Sequence, residues 1–332
     1  MNQGRMGAAA LLTFVLCIVS ASAGAVGFTR IVDNEAAGMA LGVWYPSDTP
    51  VPEQANTPFR QALALDAPVA GTHRPLVVIS HGYGGWMGGH ADLALALAEA
   101  GYVVVAPEHP GNNSNDESAP PARWLVSRPM DITRVLDFML QSWSDASRID
   151  ADRVGVYGFS AGGYTALVAA GGKPDFVKAS NYCNEAPDEF ICSEGVLDDL
   201  DPSVQTGLVG AVAGDRRIGA ISIAAPGLAF AFDSEGLQGV SVPVQIWSGE
   251  LDQRVPDASN AVPLARDLPN GAQLHRVEDA GHFAFMVPCN PRLKEVNPRI
   301  WQMVCIDSDG FDRAVFHTEL NREIRDFFDR SL

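Results

Sequence analysis

Apolar and polar positions in this chain follow two alternating periods. Leu76 to Ser80 and Tyr102 to Ala106 are short, continuous apolar runs, the pattern of strands covered on both faces. Arg153 to Tyr157, Ile218 to Ala224, Val242 to Trp247 and Leu274 to Val277 extend the series of predicted strands. Between them lie stretches with helical spacing. Asp92 to Ala100 is one, stopped by Gly101, and Pro129 to Trp143 is another, with Ile132, Val135, Leu136 and Met139 on one side. Gly38 to Tyr45 predicts an early strand, Pro46 to Pro58 a proline-rich connector, and Phe311 to Phe328 a closing helix. Such alternation predicts an α/β class built on a mostly parallel, doubly wound sheet. It lapses from Gly172 to Arg217, which predicts an insertion or small lid and not a separate domain.

The first residues fall outside that pattern. Arg5, the apolar run Ala8 to Val19 and Ala21-Ser22-Ala23 match the charged, apolar and cleavage regions of an export signal over residues 1–23. Residues 24–332 then form a single domain. An uncleaved membrane anchor is the competing reading, but the run is short for a span and ends in small residues. Phe14-Val15-Leu16 before Cys17 lacks the small residues of a lipoprotein signal. The expectation is a soluble exported protein, periplasmic or secreted, without a stable anchor once the signal is removed.

Export changes what the cysteines mean. Without Cys17 four remain, and close spacing suggests disulfides Cys183–Cys192 and Cys289–Cys305 among three possible connectivities. No pair has the C-x-x-C spacing of a metal site. The 332 residues, 47% hydrophobic, suffice for one large core, and a net charge of −17 argues against binding nucleic acid or anionic membrane through a basic face.

The candidate chemistry begins at Gly158-Phe159-Ser160-Ala161-Gly162, where a strand pattern turns abruptly into a helix pattern. This is the arrangement of a nucleophile elbow: a serine on a strained turn projects its hydroxyl above the sheet, with a helix N-terminus behind it. Such a serine needs a base, and the base needs a carboxylate to orient it. Asp252 follows the strand ending at Trp247 and is the favoured acid, with Glu250 and Asp257 as rivals. His282, in Asp279-Ala280-Gly281-His282-Phe283, follows the last strand and is the favoured base. His275 and His317 are read as structural or surface groups. The oxyanion hole is assigned to the backbone N–H groups of Ala161 and of Tyr83, the latter in the glycine-rich loop His81-Gly82-Tyr83-Gly84-Gly85. His81, Trp86 and His109 are possible pocket-lining residues, or equally packing and loop-ordering groups, and are assigned no catalytic role.

These residues together resemble the α/β-hydrolase superfamily, and within it the bacterial dienelactone-hydrolase-like group that also resembles platelet-activating-factor acetylhydrolases. The matching stretches are Leu41 to Pro46, Ser80 to Gly84, Glu108 to Gly111, Gly158 to Tyr164, Gly249 to Asp252 and Gly281 to Phe283. The resemblance implies an α/β-hydrolase fold and hydrolysis of a small-molecule or lipid carboxylic ester, with no metal or organic cofactor. Two departures bear on substrate. Dienelactone hydrolases carry a cysteine nucleophile where this chain has Ser160, and the acetylhydrolases take their acid at a position occupied here by Ala224-Ala225-Pro226. The second departure favours Asp252. Acetylated phospholipids, or polyesters of the kind cleaved by cutinases, are alternative substrates, and a non-catalytic binding module is the alternative of another class.

Overall fold

The computed structural model describes Met1 and residues 24–32, 38–198, 200 and 214–332. The stretch expected to be an export signal lies, Met1 apart, outside the described residues, as do Asp199 and Asp201 of the expected insertion.

Among the described residues nine strands form one mixed sheet: β1 (Ala25–Ile31), β2 (Leu41–Ser47), β3 (Ala64–Leu65), β4 (Arg74–Ser80), β5 (Val103–Pro107), β6 (Ile149–Phe159), β7 (Ile218–Ala224), β8 (Val244–Gly249) and β9 (Gln273–Val277). Their spatial order is β3-β1-β2-β5-β4-β6-β7-β8-β9. From β5 to β9 every neighbouring pair is parallel, whereas β2 runs antiparallel to both β1 and β5. The central runs, residues 76–79 of β4 and 103–106 of β5, are apolar at every position because successive side chains feed two separate cores. Leu76, Val78, Val103 and Val105 enter one cluster, and Val77, Ile79, Val104 and Ala106 the other. The first core is closed by helices α2 (Pro121–Asp137) and α3 (Ala161–Ala169). The second is closed by α1 (Ala91–Glu99) and the final helix Arg313–Ser331, through Leu320, Ile324, Phe327 and Phe328.

Helix α2 starts eight residues earlier than its apolar spacing suggested. Pro121 takes the first helical turn, where a missing N–H costs nothing, while Pro129 lies inside the helix. Proline at 129 cannot donate to the Leu125 carbonyl one turn back, and Tyr164 Oη donates to that carbonyl instead at 3.1 Å. A buried acceptor is thereby satisfied from α3, and the two helices are joined at the break.

The expected insertion holds α4 (Phe176–Glu185) and α5 (Phe190–Ser193) among its described residues. Cys183 and Cys192 are bonded across them, and Cys289 and Cys305 are bonded around the turns that follow β9. Among the described residues no helix is long and apolar enough to cross a membrane.

Candidate active site

The parallel strands β4, β6, β8 and β9 deliver four loops to one edge of the sheet. At the end of β6, Ser160 has φ 55°, in the left-handed region that non-glycine residues avoid. Its N–H donates to Ala224 O on the adjacent strand at 2.9 Å, and its carbonyl accepts from Gly163 and Gly227. The flanking glycines make the turn possible. A Cβ on Gly158 would stand 2.1 Å from Gly162 O, and one on Gly162 would stand 2.0 Å from Ser80 O. No side chain fits at either position.

Beyond β8, Asp252 is buried. Its Oδ1 accepts from the N–H groups of Arg254 and Val255 at 2.9 and 2.8 Å, and its Oδ2 lies 2.7 Å from His282 Nδ1. A carboxylate only accepts, so Nδ1 carries the proton and Nε2 offers its lone pair. Ser160 Oγ lies 3.1 Å from that Nε2. The three residues thus form one directed chain of hydrogen bonds, seryl hydroxyl to imidazole to carboxylate. The rival acids are engaged elsewhere: Glu250 and Asp257 both face Arg276, at 3.6 and 2.7 Å.

Two N–H groups stand near Ser160. Ala161 opens α3, where a first-turn N–H has no partner within the helix. The His81–Gly85 loop passes so close that a Cβ on Gly82 would lie 3.4 Å from Ser160 Cβ. Among the described residues the Tyr83 N–H donates to no backbone carbonyl. An open cavity of about 300 Å³ adjoins His282, walled by Leu251, Arg254, Phe283, Met303 and Ile306. The Arg254 guanidinium lies 4.1 Å over the Phe190 ring of α5 and 5.0 Å from the Phe283 ring, so the expected insertion touches the cavity wall.

His81 and His109 lie apart from this cavity. Both are buried beneath the loop, and neither lines the cavity. Trp86 packs beside Phe59 against the second core and is also absent from the cavity wall. His109 Nε2 lies 2.9 Å from Ser80 Oγ, and its Nδ1 lies 3.0 Å from Asp131 Oδ2. Ser80, His109 and Asp131 therefore repeat the serine–histidine–carboxylate order of the Ser160 site, but they are sealed from solvent. Burial, then the nearby Arg128 charge, holds both histidines well below the ordinary imidazole value, and burial pushes the Asp131 carboxyl up to about 7. Arg128 and Asp131 escaped the sequence reading. The available signal was their place on α2: with Trp124, Ile132 and Val135 they lie on the face turned to the core, where a charge is unexpected.

His275 lies within β9, stacked 4.1 Å from Trp247, and His317 sits in the final helix, bonded to Asp92 and Ala284 O. Among the described residues no group of three or more His, Cys, Asp or Glu side chains is arranged to hold a metal ion.

A family model described as serine aminopeptidase, S33 (Hydrolase_4) matches residues 71–183, which include Ser160 but neither Asp252 nor His282. Among curated proteins, none matches significantly. A solved ferulic acid esterase from Streptomyces cinnamoneus is similar over 94% of this chain and 91% of its own, with TM-score 0.62 and 21% sequence identity. In all, 1225 solved chains match, a breadth that makes the architecture uninformative about substrate. The strand order, the turn at Ser160 and this full-length likeness together show that the chain has the α/β-hydrolase fold.

Proposed function

We propose that this chain is an exported serine esterase, with residues 1–23 a cleaved signal and residues 24–332 one catalytic domain carrying residues 172–217 as a lid-like insertion. The observation that carries the reading is the directed chain from Ser160 Oγ through His282 to Asp252, at 3.1 and 2.7 Å. Ser160 attacks the ester carbonyl while His282 Nε2 takes its proton, and Asp252 stabilises the imidazolium so formed. The N–H groups of Tyr83 and Ala161 hold the oxyanion. His282 then protonates the leaving alcohol, and water hydrolyses the acyl-enzyme by the same route in reverse. The residues suffice for this sequence of steps without a metal or organic cofactor.

The apolar wall of Leu251, Phe283, Met303 and Ile306 suits an acyl chain or aromatic acid. Since the solved neighbour is named a ferulic acid esterase, aromatic-acid esters belong beside short aliphatic, acetylated phospholipid and polyester substrates in the first panel. The subgroup reading, dienelactone-hydrolase-like and platelet-activating-factor-acetylhydrolase-like, rests on the resemblance of residues 41–46, 80–84, 108–111, 158–164, 249–252 and 281–283. The deciding experiment is hydrolysis of p-nitrophenyl esters with labelling by a fluorophosphonate. Wild type should turn over and be labelled at Ser160, and Ser160→Ala should do neither while keeping its fold. A folded Ser160→Ala protein with undiminished turnover would sink the assignment, and a wild type that never labels would favour a binding module.

A further inference from the structure

Beneath the His81–Gly85 loop, Arg128 is fully buried and makes no ion pair with a carboxylate among the described residues. Withdrawing a guanidinium from water costs several kcal/mol unless its donors are matched by acceptors. Here two of the four acceptors are carbonyls of the loop itself. Nη2 donates to His81 O and, at 3.3 Å, to Ser80 Oγ; Nη1 donates to Asn112 Oδ1 at 2.6 Å and to Gly82 O at 3.4 Å. His81 Nδ1 lies 2.7 Å from the same Gly82 oxygen.

The polarity of every bond follows from these contacts. The His109 N–H donates to His81 Nε2 at 3.3 Å, so His81 is a neutral imidazole whose Nδ1–H donates to Gly82 O. Ser80 Oγ accepts from Arg128 and passes its own proton toward His109 Nε2, leaving His109 Nδ1–H to donate to Asp131. Two consecutive loop carbonyls, those of His81 and Gly82, are thereby held inward. No peptide bond among the described residues is cis, and in a trans peptide the C=O and the following N–H point in opposite directions. Holding Gly82 C=O inward, where it also accepts from the Gly85 N–H at 3.1 Å, therefore fixes the Tyr83 N–H outward, in the loop whose Gly82 passes Ser160.

We propose that Arg128 and His81 are positioning residues of the oxyanion hole, holding the carbonyls of His81 and Gly82 so that the Tyr83 N–H faces the oxygen that gains charge when Ser160 attacks. This rests on the serine-esterase reading. The deep polar network then has a purpose beyond packing: a glycine-rich loop is conformationally free, and a donor useful in the transition state must be aimed beforehand.

The test compares Arg128→Met, His81→Leu and His81→Asn with wild type, using p-nitrophenyl butyrate kinetics, fluorophosphonate labelling rates and circular dichroism. Wild-type turnover and labelling at Ser160 come first; their failure would overturn the esterase reading and this inference with it. Granted both, Arg128→Met and His81→Leu should lower kcat by about 10- to 1000-fold, with KM within about threefold and labelling slowed in step. His81→Asn keeps an N–H donor near the Nδ1 position and should recover at least about tenfold over His81→Leu. If Arg128→Met does not fold, the His81 pair decides. Folded variants with kcat within about threefold of wild type, a loss confined to KM, or equal activity of His81→Asn and His81→Leu would overturn the proposal.

Discussion

Asp252 and His282 meet through a 2.7 Å hydrogen bond, and the second oxygen of Asp252 is already held by the N–H groups of Arg254 and Val255. The carboxylate is thus fixed by its own loop, independently of the histidine it orients. Asp252→Asn keeps the shape but presents an amide that favours the wrong imidazole tautomer, and kcat should fall on the order of 10⁴-fold. Glu250, paired with Arg276 at the surface, should tolerate Glu250→Gln within about twofold. Steady-state kinetics on one ester decide it; an Asp252→Asn enzyme retaining a tenth of wild-type kcat would reassign the acid.

The glycines around Ser160 make a stability prediction. Gly158→Ala and Gly162→Ala each drive a methyl to within about 2 Å of a carbonyl oxygen, at Gly162 and Ser80, and backbone cannot yield as a side-chain tip can. Each should cost more than about 4 kcal/mol or prevent folding. Gly281→Ala, where nothing lies within 4 Å of the added carbon, is the control and should shift Tm little. Thermal denaturation of the three variants is the measurement, and a normal Tm for either elbow variant would contradict the packing described.

The central parallel strands β4 and β5 are legible because they are buried on both faces and so read as unbroken apolar runs. The elbow was legible for a related reason, since glycines confined by two carbonyls must appear at fixed offsets from the serine. Strand β1 was missed because its residues directly follow a small-residue stretch that reads as a cleavage region, and β3 is too short to carry a period. The start of α2 is hidden in the sequence because Pro129 reads locally as a helix boundary. What permits it there is the Tyr164 hydroxyl on Leu125 O, a contact between residues 39 apart that no local pattern encodes. Arg128 and the buried histidines were obscure for the same reason. A charge in a core-facing position announces that something holds it, but only the fold shows that the holder is the His81–Gly85 loop.

The disulfides should separate by effect. Cys289–Cys305 closes the larger loop, 16 residues apart against 9, and its segment carries Met303 and runs into Ile306 on the cavity wall. Chain-entropy arguments assign such a loop about 3 kcal/mol, and the shorter one somewhat less. Cys289→Ser with Cys305→Ser should lower Tm by several degrees and raise KM for esters that fill the cavity. Cys183→Ser with Cys192→Ser should act more weakly, through Phe190 and its contact with Arg254. Melting curves and KM values for both pairs, with reductant on wild type as a parallel arm, provide the comparison. Unchanged KM in the first pair would detach that wall from substrate binding.

Asp131 supplies a pH signature of its own. Burial raises its carboxyl to about 7, while Arg134 and Arg128 pull in the other direction. In the unfolded chain the same group titrates near 3.9. Between about pH 4 and pH 7 the folded protein therefore binds more of this proton than the unfolded one does. The stability contributed by the protonated carboxyl is fully present below pH 4 and is lost as pH rises through 7. Asp131→Asn removes the titration yet leaves an oxygen to accept from His109 Nδ1–H. In urea denaturation at pH 5 and pH 8, the loss of unfolding free energy on going to pH 8 should accordingly be smaller in the variant than in wild type. An identical loss in the two proteins would show that this carboxyl does not titrate across that interval, and that the buried network keeps a single protonation state throughout.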